Sequence, residues 1–63
     1  MREYIVWGVP PTYKEEIIVC EKIGNDYITT LEQVERVKEI LSKKGVQKMR
    51  VQEINFDEKI KFI

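Results

Sequence analysis

The chain has 63 residues, with eleven basic against eleven acidic side chains, no histidine and one cysteine. A chain this short makes one small domain that buries only about 60% of the surface its unfolded form exposes. The single cysteine excludes an internal disulfide, the zero net charge excludes a global field drawing the protein to phosphate, and no run approaches the roughly 20 apolar residues that span a bilayer.

Nine Ile and seven Val supply more than half of the hydrophobic residues, and Ala is absent. β-Branched side chains favour pleated surfaces, so a sheet is expected as the main apolar element. The Ile, Lys and Glu bias fits an AT-rich genome and a thermophile equally. The lone Cys20 suits a reducing cytoplasm. The N-terminal apolar run is too short for a signal h-region and no small-residue cleavage site follows it.

The first predicted element is a strand over residues 3–9, where Tyr4 and Val6 alternate with Ile5, Trp7 and Val9 and the Pro10-Pro11 pair ends the run. A second strand is predicted over residues 15–23, with Ile17, Ile18, Val19 and Cys20 as its apolar centre. Gly24-Asn25-Asp26 is a turn signal, and residues 27–29 either extend a hairpin or lead into a helix.

That helix has the clearest signature. Thr30 with Gln33 three residues on makes a capping box, and Glu32 suits the positive end of the helix dipole. Leu31, Val34, Val37, Ile40 and Leu41 recur at helical spacing as one apolar stripe. Lys43 and Lys44 suit the negative end, Gly45 suits a left-handed C′ position, and Val46 can close back on Leu41. A third strand follows over residues 48–56, but Met49 and Val51 share one face whereas Ile54 and Phe56 share the other. Either a bulge near Gln52-Glu53 restores one core face, or the second half of the strand covers something on the opposite side. Asp57-Glu58 marks a turn, and residues 60–63 form a short last strand or an apolar tail.

The order strand, strand, helix, strand gives a two-layer α+β domain of ββαβ type, one helix on a three-stranded, mainly antiparallel sheet, four-stranded if residues 60–63 pair. The first two strands are expected to form an antiparallel pair. The second and third would be parallel if adjacent, through a right-handed crossover.

Catalysis is poorly supported, and no cofactor or metal is expected. Without histidine the usual general base and metal ligand is missing, and Cys20 within Ile-Ile-Val-Cys reads as a small buried hydrophobe. The pairs Glu15-Glu16 and Asp57-Glu58 point to opposite faces if extended, and Gly8, Gly24 and Gly45 have turn or cap roles in place of a phosphate loop. A basic segment, Lys43, Lys44, Lys48 and Arg50, with Tyr4, Trp7 or Tyr27 available for stacking, makes nucleic acid the second reading.

The feature that stands out is an apolar surplus on the sheet. Ile5, Trp7, Val9, Ile18 and Cys20 lie on the parity opposite to Tyr4, Val6, Ile17 and Val19, and one helix covers one face. The uncovered set, rimmed by Glu3, Glu21 and Lys22, is expected to be an interface with a second copy of the chain or with another protein, unless the tail or the loop at residues 10–13 folds over it.

The segment Tyr-Ile-Thr-Thr-Leu-Glu-Gln-Val-Glu-Arg-Val-Lys-Glu-Ile-Leu, then Lys-Lys-Gly-Val and the strand Met-Arg-Val-Gln-Glu-Ile, spans residues 27–54. It resembles short uncharacterised proteins of low-GC Gram-positive bacteria and their phages. The resemblance implies a small accessory protein, phage or mobile-element encoded, that binds rather than catalyses. It carries over no functional residue.

Overall fold

The computed structural model describes residues 2–55. The elements run β1 (Arg2–Val9), β2 (Ile17–Cys20), β3 (Lys22–Ile23), β4 (Asp26–Tyr27), α1 (Leu31–Lys43) and β5 (Gln47–Asn55). One helix on a three-stranded antiparallel sheet, with β3 and β4 as a separate small hairpin, makes the α+β domain that the sequence pattern predicts. The turn and strand expected at residues 56–63 lie outside the described residues.

Strand order is β2-β1-β5, so β1 is central and both its pairings are antiparallel. The strands β2 and β5, which correspond to the second and third predicted strands, are therefore not neighbours, and the parallel pairing considered for them does not form. Period-two alternation puts Tyr4, Val6 and Gly8 on the helix side of β1, all buried, and Ile5, Trp7 and Val9 on the other side, half-buried. Val51 sits opposite Val6 in the ladder and joins the helix-side layer.

Two register shifts shape the sheet. Between Val6↔Cys20 and Trp7↔Ile18, β2 carries Val19 as an extra residue. Val19 and Cys20 consequently both pack on the helix-side core. Between Trp7↔Arg50 and Val9↔Gln47, β5 sets two residues against Gly8 alone, and Lys48 adopts φ 54° there. The bulge lies at Lys48 and not near Gln52-Glu53. Beyond it the ladder is regular from Arg50 to Asn55, which leaves Ile54 opposite Glu3 on the Trp7 face. The phase slip of the third strand thus reflects apolar residues on both faces.

The predicted second strand is also interrupted. After Cys20 the backbone turns out of the sheet: Ile28 N–H donates to the Glu21 carbonyl at 3.2 Å, and Tyr4 N–H donates to the Ile28 carbonyl at 2.9 Å. Ile28 takes the place beside Tyr4 and is fully buried, while the β3–β4 hairpin projects from the edge.

The helix forms for local reasons. Thr30 accepts from the Gln33 N–H at 3.2 Å while the Gln33 side chain accepts from the Thr30 N–H at 3.2 Å, completing the capping box. At the other end Val46 N–H donates to Leu41 and Gly45 N–H to Ser42, both at 3.1 Å, a Schellman closure that needs the φ of 90° at Gly45. Val34 and Val37 meet Tyr4, Val6 and Ile28 in the core, each buried aliphatic residue contributing roughly 1.5–3 kcal/mol. The helix packs on β1 and β5. Gly8 lets the connection after the helix come close to β1, since a Cβ there would stand 2.6 Å from Val46 Cγ1. The predicted stripe is only half used, with Leu31 63% and Ile40 54% exposed.

Candidate functional site

Among the described residues no helix covers the sheet face opposite α1. Along β1 it presents Glu3, Ile5, Trp7 and Val9, with Ile18 beside Trp7 on β2 and Arg50, Gln52 and Ile54 on β5. Ile18 is 43% exposed and Trp7 half-buried. Trp7 lies near the middle of this face, between Ile18 on one neighbouring strand and Arg50 on the other.

Three polar side chains fix the indole. Trp7 Nε1–H donates to Gln52 Oε1 at 3.0 Å, which orients the ring. The Arg50 guanidinium lies over it, 4.9 Å from Cζ to the ring centroid. Arg50 is held from the far side by Glu16, Nε donating to both carboxylate oxygens at 2.9 Å and an Nη to one of them at 2.6 Å. The hydrogen bonds to Glu16 push the Arg50 pKa above its ordinary value. The result is an indole fixed by Gln52 and Arg50 of β5 and, through Arg50, by Glu16 just before β2, with aliphatic residues of β1 and β2 beside it.

Four of the five predicted interface residues are on this face: Ile5, Trp7, Val9 and Ile18. Cys20 is not. The extra residue Val19 shifts the phase of β2, and Cys20 pairs with Val6 on the helix side. There burial pushes its thiol pKa up, and Sγ–H donates to the Lys22 carbonyl at 3.3 Å. The predicted rim is also redrawn, because Lys22 belongs to the projecting hairpin and Glu21 to its base. Glu3 stays on this face, whereas Arg50, paired with Glu16, lies over Trp7 within it and Gln52 bonds the indole. Ile54 is the apolar member missing from the predicted set, although its phase relative to Val51 already pointed to this face. The loop after β1 does not need to cover it: Tyr13 N–H turns back on the Pro10 carbonyl at 3.0 Å, and Pro11 packs at Gly45 by the helix end.

The predicted basic segment is dispersed by the fold. Arg50 is on the Trp7 face and engaged by Glu16, Lys43 pairs with Glu39 at 3.6 Å, Lys44 caps the helix and Lys48 forms the bulge. Tyr4 is buried in the core, and Tyr27 carries Lys22 over its ring at 4.6 Å. The four basic residues and the aromatics do not converge on one groove.

A second surface went unread in the sequence. On the helix side, a groove of about 410 Å³ opens between β2 and α1, with Val19, Cys20 and Ile23 on one wall and Val37, Ile40 and Leu41 on the other. The only signal for it was a helix stripe wider than one sheet layer can cover. Among the described residues no cluster of three or more acidic or cysteine side chains is arranged to hold a metal ion, and no helix is long and apolar enough to cross a membrane. Compared with known protein families, curated proteins and solved structures, the chain matches none.

Proposed function

We propose that this protein acts by binding and not by catalysis, as a small accessory module of the cytoplasm that self-associates through the sheet face opposite its helix. The observation that carries this reading is Trp7, an oriented aromatic side chain flanked by Ile5, Val9 and Ile18 on a face without a covering helix. Large aromatics in the centre of a patch that excludes water supply most of the free energy of association. A two-fold stacking of such faces would remove apolar surface that one 13-residue helix cannot reach. A host protein presenting an apolar surface is the other occupant this face accommodates. The phage or mobile-element setting rests on the resemblance of residues 27–54 alone.

Replacing Trp7 with Glu places a charge at the centre of the face and leaves the helix-side core untouched. Sedimentation of this variant beside the parent tests the reading, with loss of association at unchanged helix content as the supporting result. Nucleic acid stands second, and it has lost Arg50, whose charge is matched by Glu16.

A further inference from the structure

The middle of the Trp7 face is not wholly apolar. Arg50 on β5 is the cross-strand partner of Trp7, and Glu16 stands just before β2, on the other side of β1. Their side chains therefore meet over β1: the guanidinium lies 4.9 Å from the indole centroid and donates to the Glu16 carboxylate at 2.9, 2.9 and 2.6 Å. An ion pair that crosses the central strand beside the largest aromatic side chain of the face is covered by whatever covers that side chain.

In the free chain the pair is hydrated. Its side chains are 54% and 34% exposed, and a pair so open contributes little to the stability of the fold. Covering Trp7 changes the balance, because water must leave both charges together. Two effects then oppose each other. The guanidinium, itself held by the carboxylate, keeps the indole in one rotamer, and ordering one side chain in advance favours association by about tenfold at most. Loss of water from the pair acts in the other direction, since exchanging a covered ion pair for uncharged side chains of similar volume strengthens packing by up to about several hundredfold. Desolvation is the larger effect. Removing one member alone is worse than keeping both, because the other charge is then covered without a partner.

We infer that the Glu16–Arg50 pair limits self-association through the Trp7 face: matched within one chain, the two charges let the faces meet, and their hydration keeps the faces separable. This rests on the reading of that face as the surface of self-association. Because Arg50 already has its carboxylate, the face needs no countercharge from outside, and a second copy satisfies that condition.

The test is a set of dissociation constants for the full chain, measured by sedimentation equilibrium at one ionic strength. Glu16→Gln keeps the shape of the side chain and leaves Arg50 unmatched, so association weakens about tenfold or more. Glu16→Gln combined with Arg50→Met removes both charges and retains an unbranched chain over the indole, so association becomes about tenfold or more tighter than in the parent. The opposite signs are the signature, since a damaged fold weakens both variants. Glu32→Gln with Arg36→Met makes the same exchange at an exposed pair on α1 and leaves the constant unchanged. Adding Trp7→Glu to the tightened variant abolishes its association, which places the gain on this face.

A double variant no tighter than the parent overturns the proposal, as does a Glu16→Gln variant that associates as the parent does, or equal tightening by the exchange on α1. Where the parent dimerises and Trp7→Glu does not, these results overturn the limit alone and leave the face as the interface. A double variant that dimerises through Trp7 while the parent stays monomeric at millimolar concentration upholds the limit and overturns self-association of the parent. If parent and double variant both stay monomeric there, both fail.

Discussion

Arg50 lies over the ring of Trp7, 4.9 Å from its guanidinium carbon to the ring centroid, as the direct cross-strand partner of that residue. The pairing joins the centre of β1 to β5 on the face without a helix. Glu16, 34 residues away in sequence, holds the guanidinium in place, so three separated segments fix one aromatic side chain. An anchor already held in its rotamer loses little conformational freedom when a partner covers it.

Removing the guanidinium should therefore uncover the indole. Arg50→Ala is expected to shift Trp7 fluorescence to longer wavelength and to raise its quenching by acrylamide. Arg50→Lys restores the charge without the planar fork and recovers only part of the parent signal. Unchanged emission in Arg50→Ala would mean that Arg50 does not shield Trp7.

At Gly8 the helix-to-β5 connection comes close to β1. An added Cβ would meet Val46 Cγ1 at 2.6 Å and Met49 Cγ at 3.1 Å. Gly8→Ala is expected to destabilise the fold by about 1–3 kcal/mol, as overpacking does. Because the closest atom belongs to a side chain, adding Val46→Ala should recover part of that loss. Urea titration of the two single variants and the double variant checks this, and strictly additive losses would contradict it.

The helix stripe contains residues with opposite fates, and so does the segment before it. Ile28→Ala removes a fully buried side chain and should cost about 2–5 kcal/mol, enough to unfold much of a domain this small. Ile40→Ala alters an exposed residue and should stay within about 0.5 kcal/mol of the parent. Thermal melts of the two variants side by side separate the cases. Similar losses for both would mean that Ile40 is packed in solution.

The elements held by local chemistry could be read from the sequence. Thr30 with Gln33 and Gly45 with Val46 fix both helix ends through bonds spanning no more than five residues, so the pattern contained the answer. Strand order did not follow in the same way. The parity of Tyr4 and Val6 separates the two faces of β1, yet nothing in that parity says that β5 pairs with β1, across the distance in sequence from Val9 to Gln47 and beyond. The bulges were obscured for a related reason. Val19 is one β-branched residue in a run of four apolar ones, and Lys48 takes a positive φ that its side chain does not advertise. Of the candidate site, Ile5, Trp7, Val9 and Ile18 followed from alternation, whereas Glu16, Gln52 and the displacement of Cys20 depend on the register.

That displacement has a consequence with pH. Burial raises the Cys20 thiol pKa above its ordinary value of 9.0. The unfolded chain therefore releases this proton first, so the native state loses stability as pH rises beyond about 9 and gains nothing from this group below it. Iodoacetamide should label Cys20 more slowly than free cysteine, with a midpoint displaced to higher pH. A midpoint at or below that of free cysteine would place the thiol in a polar setting.

The account turns on whether the Trp7 face is covered by another molecule in solution. Sedimentation equilibrium over a wide concentration range, with the parent protein and Trp7→Glu run together, measures this most directly. The account predicts a reversible monomer–dimer equilibrium for the parent and a monomer at every concentration for Trp7→Glu, with equal helix content by circular dichroism. A parent protein that stays monomeric at millimolar concentration, or a Trp7→Glu variant that dimerises as the parent does, would contradict self-association through this face.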